Sequence, residues 1–379
     1  MKSKKFKFIF SSFLLWRISL FVFLFLASMF FPLQKKFLGG ELANYLKAPW
    51  FWAWSNFDGE HYLSIARNGY EQGEQAFFPL YPLLIRTVGR IFGGDLISLN
   101  LAGLIISNFA LLLALYGIYK LLKLDFEEKI VRLAIIILLL FPTSFYLGAV
   151  YTESLFLALS IWAFYFARKR NWFWASFLGM FAAGTRVIGV LLFPLFWIEA
   201  LRGKGKKFEI KYLWLFLIPL GILTYMYYLK IRWGDPFAFI KTLPGFGEQR
   251  SATPIILPQV FYRYIFKILP NLNYSYFPAT FSTLMELIVS ILFIVVSVWV
   301  LFRARLSYAL FLLGGYLLPT LSGSFSSLPR YVLVLFPAFL LFAKYLARTS
   351  LLKRILIFIF LGILLLMATM LFARGYWVS

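Results

Sequence analysis

The sequence predicts an all-α polytopic membrane protein. Three observations carry that prediction. Of 379 residues, 62% are hydrophobic and only 14% are charged, against about 45–50% and about 25% in soluble domains. The mean hydropathy is +0.82, and the apolar residues fall into repeated runs near the ~20 residues that one helical crossing requires. Basic residues gather in the short breaks between those runs, as they do in cytoplasmic loops. A soluble enzyme, a disordered chain and a disulfide-built secreted scaffold are excluded.

The run at 8–31 follows Lys2, Lys4, Lys5 and Lys7. It is longer than a signal-peptide core and lacks a small-residue cleavage site, so it reads as a first crossing with a cytoplasmic N-terminus. Residues 32–95 then form a long outer segment. Further crossings are expected at 96–122, 130–150, 154–166, 172–184, 187–201, 212–228, 281–301, 307–321, 331–346 and 355–372, about eleven in all with the first. The pair at 172–201 reads as a hairpin turning at Gly184-Thr185-Arg186; a single bent crossing is the other reading. A second long outer segment runs over 233–280. Both outer segments are rich in Trp, Tyr and Phe, which favour the membrane–water interface, and neither has the size of a separate domain. The chain 1–379 therefore reads as one integral membrane domain.

The basic breaks support this topology. They carry Lys120, Lys123, Lys129 and Arg132, then Arg168-Lys169-Arg170, then Arg202, Lys204, Lys206, Lys207 and Lys211. Arg303, Arg305, Lys344, Arg348, Lys353 and Arg354 follow. The formal charge of +23 is thus read as positive-inside loops facing anionic lipid. Nucleic acid is not the expected partner, because no soluble basic stretch interleaved with aromatic residues exists. Cysteine is absent and histidine occurs once, as His61, so thiolate chemistry and multi-histidine metal sites are excluded.

Acids are scarce, and their placement is informative. Asp58, Glu60 and His61 stand together in Phe57-Asp58-Gly59-Glu60-His61. Asn56 or Asp58 can cap a short interfacial helix beginning near Gly59, with Gly69 as its stop. An ordinary capped interfacial helix explains the spacing equally well. Farther on, Phe77-Phe78-Pro79-Leu80-Tyr81-Pro82 suggests a rigid lead into a second interfacial helix. Arg86 and Arg90 share one face of that helix, where they either meet lipid phosphate or snorkel to headgroups. Glu153 sits at the outer junction of two crossings, where a carboxylate is costly and often functional or simply caps the next helix. Arg186, Arg330 and Tyr331 occupy comparable outer turns. Acids and arginines therefore converge on one side of the membrane, in a pattern suited to activating a nucleophile and holding an anionic leaving group.

At Phe57-Asp58-Gly59-Glu60-His61-Tyr62-Leu63, Asn68-Gly69-Tyr70 and Phe77-Phe78-Pro79-Leu80-Tyr81-Pro82, the chain resembles the PIG-V family, the GPI mannosyltransferase II-like proteins. The resemblance continues through Tyr151-Thr152-Glu153-Ser154-Leu155-Phe156, Gly184-Thr185-Arg186, Trp233-Gly234-Asp235-Pro236-Phe237 and Pro329-Arg330-Tyr331. Phe57 departs from the tryptophan expected there. The resemblance implies a GT-C-like fold, short interfacial helices in the first outer loop, and an active site facing away from the cytoplasm. It implies an inverting glycosyltransferase, a mannosyltransferase first of all, with a polyprenyl- or dolichyl-phosphate sugar donor and a glycan, glycolipid or protein acceptor.

On that footing Asp58 is the expected general base, with Glu60 and Glu153 as further catalytic acids. His61, Arg86, Arg186, Arg330 and Tyr331 are expected to bind substrate and the donor phosphate. No cofactor is required. Asp58, Glu60 and Glu153 are the oxygen ligands available to a divalent ion such as Mg²⁺ or Mn²⁺. The rival class is a lipid or lipid-linked-sugar flippase, which would normally carry ionisable residues near mid-membrane and an inverted repeat. Apart from Lys120 and Arg132 near their ends, only Arg17 and Glu286 lie within long crossings. The absence of cysteine and the compact loops favour a prokaryotic plasma membrane over the endoplasmic reticulum.

Overall fold

The computed structural model describes residues 2–202, 208–247 and 250–378. Lys204, Lys206, Lys207 and Glu248, and the side chains of Lys2 and Lys4, lie outside this description. No β-strand occurs among the described residues.

The first helix, α1 (Lys2–Phe30), is followed by short helices α2 (Glu41–Lys47), α3 (Pro49–Trp52), α4 (Asp58–Asn68) and α5 (Leu80–Ile91). Then come α6 (Leu96–Leu122), α7 (Glu128–Leu140), α8 (Glu153–Arg168), α9 (Trp172–Ala183), α10 (Leu192–Leu201) and α11 (Leu217–Trp233). The second long loop carries α12 (Ala238–Lys241) and α13 (Leu257–Arg263). The chain closes with α14 (Phe277–Leu301), α15 (Leu306–Thr320), α16 (Leu328–Tyr331), α17 (Phe336–Ala347) and α18 (Leu351–Ala373).

Every expected crossing meets a helix, but the helices differ in reach. Among the described residues, α1, α6, α14, α18 and the segment Ile210–Trp233 are long and apolar enough to cross a bilayer unaided. A sixth is the broken pair Leu328–Val334 and Phe336–Ala347, bent by 82°. The segments Trp172–Ala183, Val187–Leu201 and Leu306–Thr320 are shorter apolar helices.

The expected crossing at 130–150 shows why. Its helix α7 stops at Leu140, spanning ~20 Å at 1.5 Å per residue. Phe141 has ψ 139°, as the ring of Pro142 demands of the residue before it. The chain then makes a 3-10 turn over Ser144–Gly148. An apolar run is thereby converted into an irregular segment buried inside the bundle, where backbone groups can be satisfied by protein rather than lipid.

The bundle is held by close helix contacts. α9 lies against α11 so tightly that a Cβ on Gly221 would come 1.9 Å from the Met180 carbonyl oxygen, the small-residue packing typical of membrane helices. α6 starts on a true cap: the Asp95 carboxylate accepts from the Ser98 N–H at 2.8 Å. At one end of the bundle, Asp125 accepts from Arg168 at 2.6 Å and lies 3.6 Å from Arg305. The basic breaks gather at that end. The acid–arginine residues lie at the opposite ends of α8 and its neighbours.

Candidate active site

Asp58 is the first residue of α4, and its backbone setting differs from the expected cap. Phe57, immediately before it, has φ 57° and ψ −117° and makes no side-chain cap. Such a conformation is strained for a residue with a Cβ, and strain of this kind persists only where surroundings enforce it. Here the Phe57 N–H donates to the Phe37 carbonyl at 2.9 Å, and its ring packs edge-on against Trp377 at 5.0 Å. Asn56 does not cap α4 either. Its amide donates to the Phe372 carbonyl at 2.8 Å, and its oxygen accepts from the Gly39 N–H at 2.9 Å. Asn56 therefore ties the first loop to the end of α18 and leaves the Asp58 carboxylate free to point into the bundle. Gly69 does end α4, with φ 91°.

The Asp58 carboxylate accepts from Arg330 Nη1 at 2.5 Å. Arg330 Nε lies 3.6 Å from Glu153 Oε1, and Arg186 Nη1 donates to that same oxygen at 2.7 Å. Two carboxylates and two guanidinia thus alternate in a chain: Asp58, Arg330, Glu153, Arg186. The guanidinium of Arg330 is sandwiched among the rings of Tyr146, Tyr151 and Tyr331, at 5.3, 5.2 and 5.1 Å, with Trp377 at 6.0 Å. Arg186 lies 4.9 Å from the Tyr331 ring. Each such cation–π contact contributes roughly 0.5–2 kcal/mol when desolvated. Removing these charges from water is costly, and pairing with hydrogen bonding offsets it. Glu153 Oε2 and Arg330 Nε are buried and have no hydrogen-bond partner among the described residues, so each retains capacity for a ligand group.

These residues line one cavity of about 340 Å³. Asp58, Glu153, Arg186, Arg330 and Tyr331 are on its wall, with Tyr62, Phe77, Phe246 and Arg250. Its mix of aromatic surface and a few convergent charges is that of a small-molecule site. Among the described residues, no three His, Cys, Asp or Glu side chains gather to hold a metal ion.

The other expected site residues lie elsewhere. His61 is stacked on Phe77 at 4.8 Å and its Nδ1 lies 3.5 Å from the Glu74 carboxylate. It stands behind the aromatic wall, not on it. Burial opposes its charge, but the Glu74 hydrogen bond and the fields of Asp58, Glu74 and Glu60 outweigh burial and raise its pKa. Glu60 is not on the cavity wall. Burial pushes its carboxyl up to about 7, with His61 opposing and Glu41 reinforcing. Arg86 donates to the carbonyls of Ala66 at 2.6 Å and Ile65 at 3.1 Å. It closes the C-terminal end of α4, the role basic side chains often take there.

Four contributors escaped sequence reasoning. Tyr146 lies hidden in the apolar run broken by Pro142, and in sequence Tyr151 is only a neighbour of Glu153. Trp377 comes from the C-terminal tail, which is pinned by the Tyr146 hydroxyl donating to the Val378 carbonyl at 2.5 Å. Arg250 comes from the second long loop, and its Nη2 donates to the Ser327 hydroxyl at 3.1 Å. Only proximity in the fold joins them.

Fold and site together define a polytopic helical membrane protein with a charged, aromatic-walled pocket at one end of its bundle. The chain belongs to the Mannosyltransferase (PIG-V) family, whose model matches residues 8–225. That segment includes Asp58, Glu153 and Arg186 and stops short of Arg250 and Arg330. The chain is also similar to GPI mannosyltransferase 2 of Schizosaccharomyces pombe, at 27% identity over 237 residues. The match covers 56% of this chain and 47% of the yeast protein, so it spans about half of that relative's length. The relative is eukaryotic, and the comparison lends no support to a prokaryotic plasma membrane. No solved structure matches the chain.

Proposed function

We propose that this protein is an inverting mannosyltransferase that uses a polyprenyl- or dolichyl-phosphate mannose donor. The observation that carries the proposal is the Asp58–Arg330–Glu153–Arg186 chain on the wall of a pocket at one end of the helical bundle, in a protein of the PIG-V family. The acceptor is a glycolipid hydroxyl, in keeping with the name of the yeast relative.

In this reading the acceptor hydroxyl attacks the anomeric carbon while Asp58 takes its proton. General-base assistance of this kind is worth roughly 10²–10⁴-fold. Attack opposite the departing phosphate inverts the anomeric centre. Arg330 orients Asp58, and the arginine side of the pocket faces the charge that develops on the leaving oxygen. Glu153 fixes both guanidinia and offers its free Oε2 to a sugar hydroxyl. The crowding of the basic breaks at the opposite end of the bundle supports an extracytoplasmic pocket.

The test is turnover of radiolabelled polyprenyl-phosphate mannose by protein in lipid nanodiscs, supplied with a glycolipid acceptor, with NMR assignment of the product anomer. The expected product has the anomeric configuration opposite to the donor. Retention of configuration would overturn the single-displacement reading. A parallel arm with EDTA asks whether Mg²⁺ or Mn²⁺ contributes.

A further inference from the structure

We propose that Arg250, positioned by the buried Ser327 hydroxyl, forms the seat for the lipid phosphate, as distinct from the arginines that hold the carboxylates. The inference rests on the lipid-phosphate donor proposed above. Three guanidinia line the cavity, those of Arg186, Arg250 and Arg330, against two carboxylates, Asp58 and Glu153. Arg186 and Arg330 are both engaged by those carboxylates. Arg250 has only neutral partners among the described residues: Ser327 Oγ at 3.1 Å and the Ser326 carbonyl at 3.4 Å. The wall therefore carries one guanidinium whose charge no described carboxylate balances.

The geometry around Ser327 gives this surplus charge a place. Arg330 Nη2 also donates to Ser327 Oγ, at 3.3 Å. A hydroxyl that accepts from two guanidinia directs its own proton elsewhere. Two like charges converging on one oxygen repel, and an anion seated beside them turns that repulsion into attraction. Ser327 holds φ 67°, a left-handed conformation that glycine would adopt without strain, while only the side chain supplies the hydroxyl. A guanidinium fork suits phosphate oxygens, and the buried Ser327 hydroxyl holds that of Arg250 in place.

The reaction needs such a seat. The bond from the anomeric carbon to the phosphate oxygen breaks, and its electron pair stays on the phosphate. The acceptor oxygen forms the new bond, and its proton passes to Asp58. The lipid phosphate changes from a singly charged diester to a monoester of about −1.5 to −2. A cation not already balanced by a carboxylate is the one best placed to receive that added charge.

The test measures binding of a short-chain polyprenyl phosphate, of the neutral polyprenol and of phosphatidic acid to full-length protein in nanodiscs. Wild type should prefer the polyprenyl phosphate to the other two. Arg250→Gln should weaken polyprenyl-phosphate binding at least tenfold, about 1.4 kcal/mol, and leave polyprenol binding unchanged. Arg250→Lys should recover part of the loss. Ser327→Gly keeps the backbone conformation and should lose several-fold. Ligand-free melting temperatures check that each variant is folded. Unchanged polyprenyl-phosphate binding by Arg250→Gln would overturn the proposal. So would phosphatidic acid binding as tightly and with the same Arg250 dependence, which would mark a general lipid-phosphate contact. Arg250-dependent binding in a protein that transfers no mannose would uphold the seat and defeat the catalytic reading.

Discussion

Replacing Arg330 with methionine should destabilise the protein by about 3–5 kcal/mol, the cost of leaving a buried charge unpaired. The side chains of Arg330, Asp58 and Glu153 are 5%, 17% and 2% exposed, so water reaches the vacated position only from the cavity. Glu153 would keep Arg186 at 2.7 Å, but Asp58 would have no cation within ion-pair distance among the described residues. The three tyrosine rings around the guanidinium would lose their cation–π contacts as well. Asp58→Asn should cost much less, because Arg330 would retain Glu153 and the rings. The double variant Asp58→Asn/Arg330→Met removes the orphaned charge, so it should be more stable than Arg330→Met alone, with a coupling of about 0.5–3 kcal/mol. Thermal unfolding midpoints of the four proteins in one detergent supply the cycle. A double variant less stable than Arg330→Met would refute the reasoning, because the two groups would then act independently.

Other consequences follow from the same contacts. Gly221→Ala should markedly lower the melting temperature, since its Cβ would collide with the Met180 carbonyl at 1.9 Å and force α9 and α11 apart; an unchanged midpoint would show that the interface yields freely. Tyr151→Phe removes the hydroxyl that donates to the Asn56 carbonyl at 2.7 Å, and should cost about 0.5–1.5 kcal/mol while sparing the ring against Arg330. The Glu60 carboxyl is raised from 4.5 to about 7, so the folded state holds its proton more tightly than the unfolded chain. Its stabilising contribution is complete below pH 4.5 and is lost as the pH rises through about 7. His61, also raised, acts in the same direction. Melting curves across this window should flatten in Glu60→Gln, and equal slopes in variant and wild type would contradict the assignment.

Much of the fold was legible because the bilayer imposes a length on apolar runs. The crossing expected at 96–122 coincides with α6, and α8, α9, α15 and α18 start or stop within a few residues of expectation. Irregular backbone was not legible. Pro142 sits in a run apolar enough to pass as one helix, and Leu335 parts the broken pair ahead of Pro337. The site was legible where a charge is unusual in its surroundings, as with Asp58, Glu153, Arg186 and Arg330. Arg86 has the same chemical signal as these residues, yet it serves the carbonyls of α4. Helical spacing could not reveal this, because its partners lie 20 and 21 residues away. Tyr146, Trp377 and Arg250 carry no local signal at all; the two rings meet Arg330, and Arg250 meets Ser327 beside it, only through tertiary packing.

The central claim is that Asp58 is the base of a mannosyl transfer carried out in this pocket. It is tested most directly by comparing mannose transfer from polyprenyl-phosphate mannose by wild type and Asp58→Asn, each verified as folded by its melting curve. Wild type should turn over the donor, and Asp58→Asn should lose roughly 10²–10⁴-fold or more, with binding of the lipid donor retained. An Asp58→Asn protein that transfers mannose at the wild-type rate would contradict it.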